Sequence, residues 1–115
     1  PMSIIKSFAH AIDGIVELIS TERNLRIHFI AMACVIILGF VVGLRAFEWI
    51  ICIILFSAVI SAEIFNTVIE KTMNYINKDY DEDIKFIKDA SAGAVLVMAI
   101  ASAVIGLIIF IPKLI

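Results

Sequence analysis

Trp49-Ile50-Ile51-Cys52-Ile53-Ile54-Leu55-Phe56-Ser57-Ala58-Val59-Ile60-Ser61-Ala62-Glu63-Ile64-Phe65-Asn66-Thr67-Val68-Ile69-Glu70 decides the fold of this chain. The run is apolar enough, and close enough to the ~20 residues a bilayer core demands, to read as a membrane-spanning helix. One carboxylate, Glu63, interrupts it. A charged group inside such a helix costs a few kcal/mol or more, so it usually faces a protein interior or a wet cavity and serves a purpose there. Asn66 follows three residues later and Glu70 seven, which on a helix places all three on one face.

The rest of the chain agrees with a membrane setting. Of 115 residues, 63% are hydrophobic and only 17% charged, and the mean hydropathy is +1.10. A soluble domain would be far more polar. Two further weakly charged runs extend from Ile27 to Leu44, with His28 at its edge, and from Ala90 to Ile111, which Pro112 is expected to close. Each must be helical, because the bilayer core offers no water to backbone groups. Cys34 and Cys52 fall inside spans, where thiols pack as small apolar groups and a structural disulfide is not expected. No basic segment, apolar run and small-residue cleavage site stand in order at the N-terminus, so no cleavable leader is expected. The net charge of −2 gives no sign of nucleic-acid binding.

Ahead of the first span, Ile4, Phe8, Ile12, Ile15 and Ile19 recur at helical spacing, with Lys6, His10, Asp13 and Glu17 on the other faces. This segment, about residues 3–20, is too charged to cross a membrane and reads as an amphipathic helix at its surface or against the bundle. Ser20 to Asn24 marks a polar turn. The expectation is one all-α membrane domain over 1–115, with a surface helix and spans of about 27–44, 49–70 and 89–111. Seven of the nine basic residues (Lys6, Arg23, Arg26, Lys71, Lys78, Lys85 and Lys88) lie on the side shared by the N-terminus and the 70–90 segment. The positive-inside rule assigns that side to the cytoplasm. Ten of the eleven acidic residues, all but Glu48, lie on or near the same half. Trp49 suits the opposite interface.

Chemistry would concentrate at the cytoplasmic ends. By helix rise, Glu70 stands about 10 Å closer to water than Glu63. Glu22, just before the first span, and Glu70 have the oxygen donors that Mg²⁺ takes beside nucleotide phosphates. Lys88 suits phosphate neutralisation, and Glu63 lies deep enough to accept a proton from a lipid alcohol. Small residues Ala90 to Ala94 allow close helix approach or room for a ligand. Bland readings stand beside these. Glu22 and Glu70 suit ion pairs with Arg23, Arg26 or Lys71, and Asn66 suits an interhelical hydrogen bond. His10 and His28 read as ordinary interfacial histidines. The polar run from Asn74 to Lys88 reads either as a solvated hairpin or as a loop closing over a nucleotide. No Gly-x4-Gly-Lys-Ser/Thr loop and no Gly-rich kinase loop is present. Any phosphate site must therefore use side chains and a cation.

Glu63-Ile64-Phe65-Asn66-Thr67-Val68-Ile69-Glu70 resembles the Glu-x-x-Asn-x-x-x-Glu signature of the prokaryotic diacylglycerol kinase family, small integral-membrane lipid kinases that include undecaprenol kinases. Lys88-Asp89 followed by Gly93-Ala94-Val95-Leu96 resembles their second signature, and Glu22 stands at their first-helix acidic position. The stretch Thr21 to Phe29 is most similar to the undecaprenol kinase branch. The resemblance implies a homotrimer that uses ATP and Mg²⁺ at the cytoplasmic interface of a bacterial plasma membrane to phosphorylate a lipid hydroxyl, undecaprenol or diacylglycerol. By motif it implies Glu63 as general base, Glu22 and Glu70 as metal ligands, and Asn66 in support. It also implies Lys88, Asp89, the loop residues Asp79, Tyr80 and Asp81, and the surface-helix residue His10 as nucleotide contacts. His10 and Ser3 stand where the diacylglycerol branch has Tyr and Arg, and Asn74 stands where it has Asp. From the residues alone, a proton- or cation-coupled transporter with Glu63 as carrier is the rival, and a non-catalytic membrane subunit a third reading. Neither uses Glu22, Glu70 and Lys88-Asp89 together.

Overall fold

A computed structural model describes residues 3–115; Pro1 and Met2, the start of the expected domain, lie outside the described residues. Four helices follow one another: α1 (Ile4–Thr21), α2 (Arg23–Val42), α3 (Ala46–Ile76) and α4 (Glu82–Leu114). The last three are long and apolar enough to cross a membrane, which together with α1 makes this an all-α, multi-pass membrane protein. α3 packs chiefly on α4 and secondarily on α2, while α1 leans on α2. The molecule measures 51 × 40 × 21 Å, a slab about two helices thick. Few apolar residues are enclosed. Leu25, Leu44, Cys52, Ile109 and Phe110 are the buried ones, and the outward Ile, Leu, Val and Phe face the region of lipid or of other protein.

Each joint has a physical cause. Ser3 caps α1 by accepting from the Lys6 N–H at 3.3 Å. At its other end, Arg26 Nη1 donates to the carbonyls of Ile19 (2.9 Å) and Ser20 (3.0 Å), two of the groups a helix C-terminus leaves unpaired. The expected polar turn thus contracts to a single extended residue, Glu22, because α1 runs through Thr21 and α2 starts at Arg23. α2 ends on Gly43 at φ 76°, a left-handed cap that glycine adopts without steric cost. Four residues earlier, Gly39 lets the chain turn tightly: a Cβ there would meet the Trp49 ring at 2.7 Å and Leu44 Cδ1 at 2.9 Å. Trp49 also stacks at a tilt on Phe40, with ring centroids 4.8 Å apart.

The helices outlast the apolar runs that announce them. α3 continues through Ile76 and α4 begins at Glu82, so Asn74 and Lys88 are helical and the connection is only Asn77 to Asp81. Asn77 Oδ1 accepts from the Asp79 N–H at 2.9 Å, and Asp81 caps α4 by accepting from Asp83 and Ile84 N–H at 2.9 and 3.1 Å. The expected stop at Pro112 does not occur. α4 runs through it to Leu114. A proline in a last turn forfeits one helical hydrogen bond but need not end a helix whose remaining side chains are anchored, and here Lys113 is anchored by Glu48 at 3.0 Å.

Candidate active site

The face anticipated on α3 exists and turns inward. Glu63 is 4% exposed, Asn66 7% and Thr67 3%, while Glu70, a turn nearer the end, is half-buried. Thr67 Oγ1 donates back to the Glu63 carbonyl at 3.0 Å, a local bond helices tolerate. Glu63, Asn66 and Glu70 line one cavity of about 350 Å³. α2 adds Asn24 and His28 to its wall, and α4 adds the small residues Ala92 and Ala99. Small side chains there provide the room that Ala90 to Ala94 foreshadowed, although Gly93 in that run faces open space.

His28 needs correction. Expected as an unremarkable interfacial histidine, it places Nε2 3.7 Å from Glu63 Oε2. The signal was legible in an antiparallel register. Glu22 meets Lys71, with Nζ to Oε1 at 2.9 Å, and six residues further along α2 falls opposite a residue about two turns back along α3. That residue is Glu63. Asn24, expected in the polar turn, is helical and stands on the same wall.

His28, Glu70 and Glu22 all lie within electrostatic reach of the Glu63 carboxylate, so the three glutamates form one electrostatic group at the inner ends of α2 and α3. Glu22 is engaged by Lys71 and does not line the cavity. Asn66 Oδ1 is buried with no hydrogen-bond partner, an orphan acceptor of the kind that marks a missing donor, water or cation. Among the described residues no three His, Cys, Asp or Glu side chains converge as a metal cage. Two carboxylates suffice for Mg²⁺, which keeps several waters and takes the rest of its ligands from phosphate. The oxygen-only donors Glu22 and Glu70 therefore fit that ion.

Other expected contacts are spread around the rim. Lys88 Nζ donates to Asn74 Oδ1 at 2.6 Å, which holds the lysine over α3 one turn beyond Glu70. The partner is a neutral amide, so the full positive charge remains for an anion. Asp89 is exposed and bonded to Lys85. Asp79 and Tyr80 are exposed in the loop, and Asp81 is occupied as a helix cap. His10 borders a separate groove between α1 and α3, together with Lys71 and Tyr75. The fold of one chain thus unites Glu63, Asn66 and Glu70, keeps Glu22 and Lys88 near, and leaves Asp79, Tyr80, Asp81, Asp89 and His10 outside the cavity.

Comparison with known proteins bears on this site. The profile of the family described as prokaryotic diacylglycerol kinase matches residues 9–110. The undecaprenol kinase of Bacillus subtilis (strain 168) is 47% identical over 109 residues, which cover 95% of this chain and 89% of that one. The diacylglycerol kinase of Synechocystis sp. (strain ATCC 27184 / PCC 6803 / Kazusa) is 31% identical over 113 residues, 97% of this chain and 65% of that one. With a profile that takes in α2, α3 and nearly all of α4, and a carboxylate-lined cavity among those helices, the chain belongs to the prokaryotic diacylglycerol kinase family and is a membrane-embedded lipid kinase.

Proposed function

We propose that this kinase transfers the γ-phosphoryl group of ATP to the hydroxyl of undecaprenol, in preference to diacylglycerol. The 47% identity to an undecaprenol kinase supports the choice of lipid. The observation that carries the mechanism is the buried Glu63 beside Asn66 and Glu70 on one cavity wall.

In this reading Glu63 takes the hydroxyl proton as the alcohol oxygen attacks. A base must lie within hydrogen-bond reach of the proton it removes, and a carboxylate at this depth meets a lipid hydroxyl at the headgroup level. His28 holds the Glu63 carboxylate toward the cavity. Asn66 offers its unpaired Oδ1 to the substrate hydroxyl or to a bound water. Glu22 and Glu70 would hold Mg²⁺, which when bound neutralises charge on the donor phosphates. Lys88 adds positive charge from the rim, with Asp79, Tyr80, Asp81, Asp89 and His10 as candidate nucleotide contacts from the loop, α4 and α1. Phosphoryl transfer needs little covalent help from protein, so positioning and charge stabilisation supply most of the rate.

The N-terminus and the α3–α4 loop are assigned to the cytoplasm, where ATP is, and the membrane to the bacterial plasma membrane. A homotrimer completes the site. A slab of three spans cannot seal a polar cavity from lipid on its own, and a second copy would shelter Glu63. The rival reading of Glu63 as a transporter's carrier site has no support from the relatives, both of which are kinases by name.

The deciding experiment incubates the purified protein with labelled ATP, Mg²⁺ and either undecaprenol or diacylglycerol. Label in undecaprenol phosphate is the expected result. Label only in phosphatidic acid would overturn the lipid assignment, and label in neither would overturn the reading as a whole. Cross-linking in bilayers should trap trimers; fully active monomers would refute the assembly.

A further inference from the structure

The cavity at Glu63 has neighbours deeper in the bundle. It shares His28 with a smaller recess of about 100 Å³ between α2 and α3. That recess in turn shares Val35 and Phe56 with an apolar cleft of about 450 Å³ that α4 closes on its far side. We infer that the three form one track for the hydrocarbon tail of a single-chain polyprenyl alcohol, leading from the hydroxyl at Glu63 toward the opposite end of the bundle. The inference rests on the lipid-kinase reading above and adds which shape of lipid the chain is built to hold.

Length decides between a polyprenyl tail and a pair of acyl chains. The cleft reaches Leu38 near the end of α2 and Leu114 at the end of α4. Lys113 bonds Glu48, so this end of α4 stands level with the first turn of α3. From Glu63 back to Glu48 the helix rises about 22 Å. One leaflet of a bilayer core is about 15 Å deep. The chains of a diacyl lipid with its hydroxyl at Glu63 stay within that leaflet and stop short of the far end. A polyprenyl tail continues along it. The walls agree, since apart from the Ser102 hydroxyl the side chains that line the cleft are apolar and offer nothing to an ion or a nucleotide.

Gly106 makes the track testable. It borders the cleft, and a Cβ added there would meet nothing within 4 Å. A larger side chain can therefore enter the cleft without straining the fold. Gly106→Leu should lower kcat/KM for undecaprenol about tenfold or more, the scale set by displacing a few buried methylenes. It should leave farnesol, a prenol too short to reach residue 106, nearly unaffected. A second measurement uses an undecaprenol analogue with a photoreactive group at the tail end. Label is expected in α4 between residues 102 and 114.

Equal turnover of undecaprenol by Gly106→Leu and the parent protein would overturn the track. So would photolabel confined to α1, or loss of both prenols together with a change in oligomer size, since the cleft would then be a seat for a helix of another copy. If the parent protein phosphorylates diacylglycerol but no prenol, the track fails while the kinase reading stands; if it phosphorylates no lipid, both fail. Should farnesol be no substrate for the parent protein, the photolabel alone decides.

Discussion

Glu48 and Glu63 lie on the same helix and are equally buried, at 4% exposed each, yet their surroundings are opposite. Glu48 Oε1 accepts from the Arg45 N–H at 2.9 Å, stands 3.5 Å from Arg45 Nε, and pairs with Lys113 Nζ at 3.0 Å. It sits in the first turn of α3, where a negative charge also complements the helix dipole. Among the described residues Glu63 has one neighbour of opposite character, His28 at 3.7 Å, beside an orphan Asn66 oxygen and an open cavity. A carboxylate whose lone pairs are spoken for holds helices together. One left partly unsatisfied in the same bundle costs stability and remains free to take a proton. Burial alone does not separate the two; hydrogen-bond saturation does.

Substitutions can break the contrast. Glu63→Gln keeps the shape and removes the proposed base, so phosphoryl transfer from labelled ATP should fall by about 10²- to 10⁴-fold while thermal unfolding in detergent and oligomer size stay unchanged. Wild-type-like turnover would remove Glu63 from its role. Glu48→Gln should do the reverse. It strands Lys113 and should lower the thermal unfolding midpoint measurably, with kcat/KM changed little in the fraction that remains folded. Adding Lys113→Met should recover part of that loss, and strictly additive losses in the double-mutant cycle would show that the pair is not coupled.

Two smaller effects sharpen the picture. His28→Phe removes the imidazole that stands 3.7 Å from Glu63 and should lower kcat about fivefold, the scale of a contact worth about 1 kcal/mol, without changing the KM for ATP. An unchanged kcat would make His28 a bystander. Lys71→Met frees Glu22 from a half-exposed ion pair and should leave the thermal unfolding midpoint nearly unchanged. Because the ammonium competes with a cation for the same carboxylate, the Mg²⁺ concentration giving half-maximal rate should fall in this variant. A rise would mean that Lys71 orients Glu22 for the metal instead.

Much of this was readable beforehand, and the reason differs from element to element. Span positions follow from the cost of placing polar groups in hydrocarbon, a property of composition. The Glu63, Asn66 and Glu70 face follows from helical period alone. Helix ends were less legible. α4 starts two turns before Lys88 and runs past Pro112, because the Asp81 cap and the Lys113–Glu48 pair depend on a local turn and on a partner brought from α3, neither of which apolar content reports.

The chain by itself determined that three helices cross a membrane, that one carries a costly carboxylate, and that carboxylate, amide and carboxylate share its face, since local geometry and solvent transfer need no partner. Only the tertiary structure decided that His28 faces Glu63, that Lys71 holds Glu22, that Glu48 is saturated by Lys113, and that an apolar cleft lies between Val35, Phe56 and Leu114. Those pairings depend on the register between antiparallel helices, which side-chain packing sets over many residues at once and no single segment encodes.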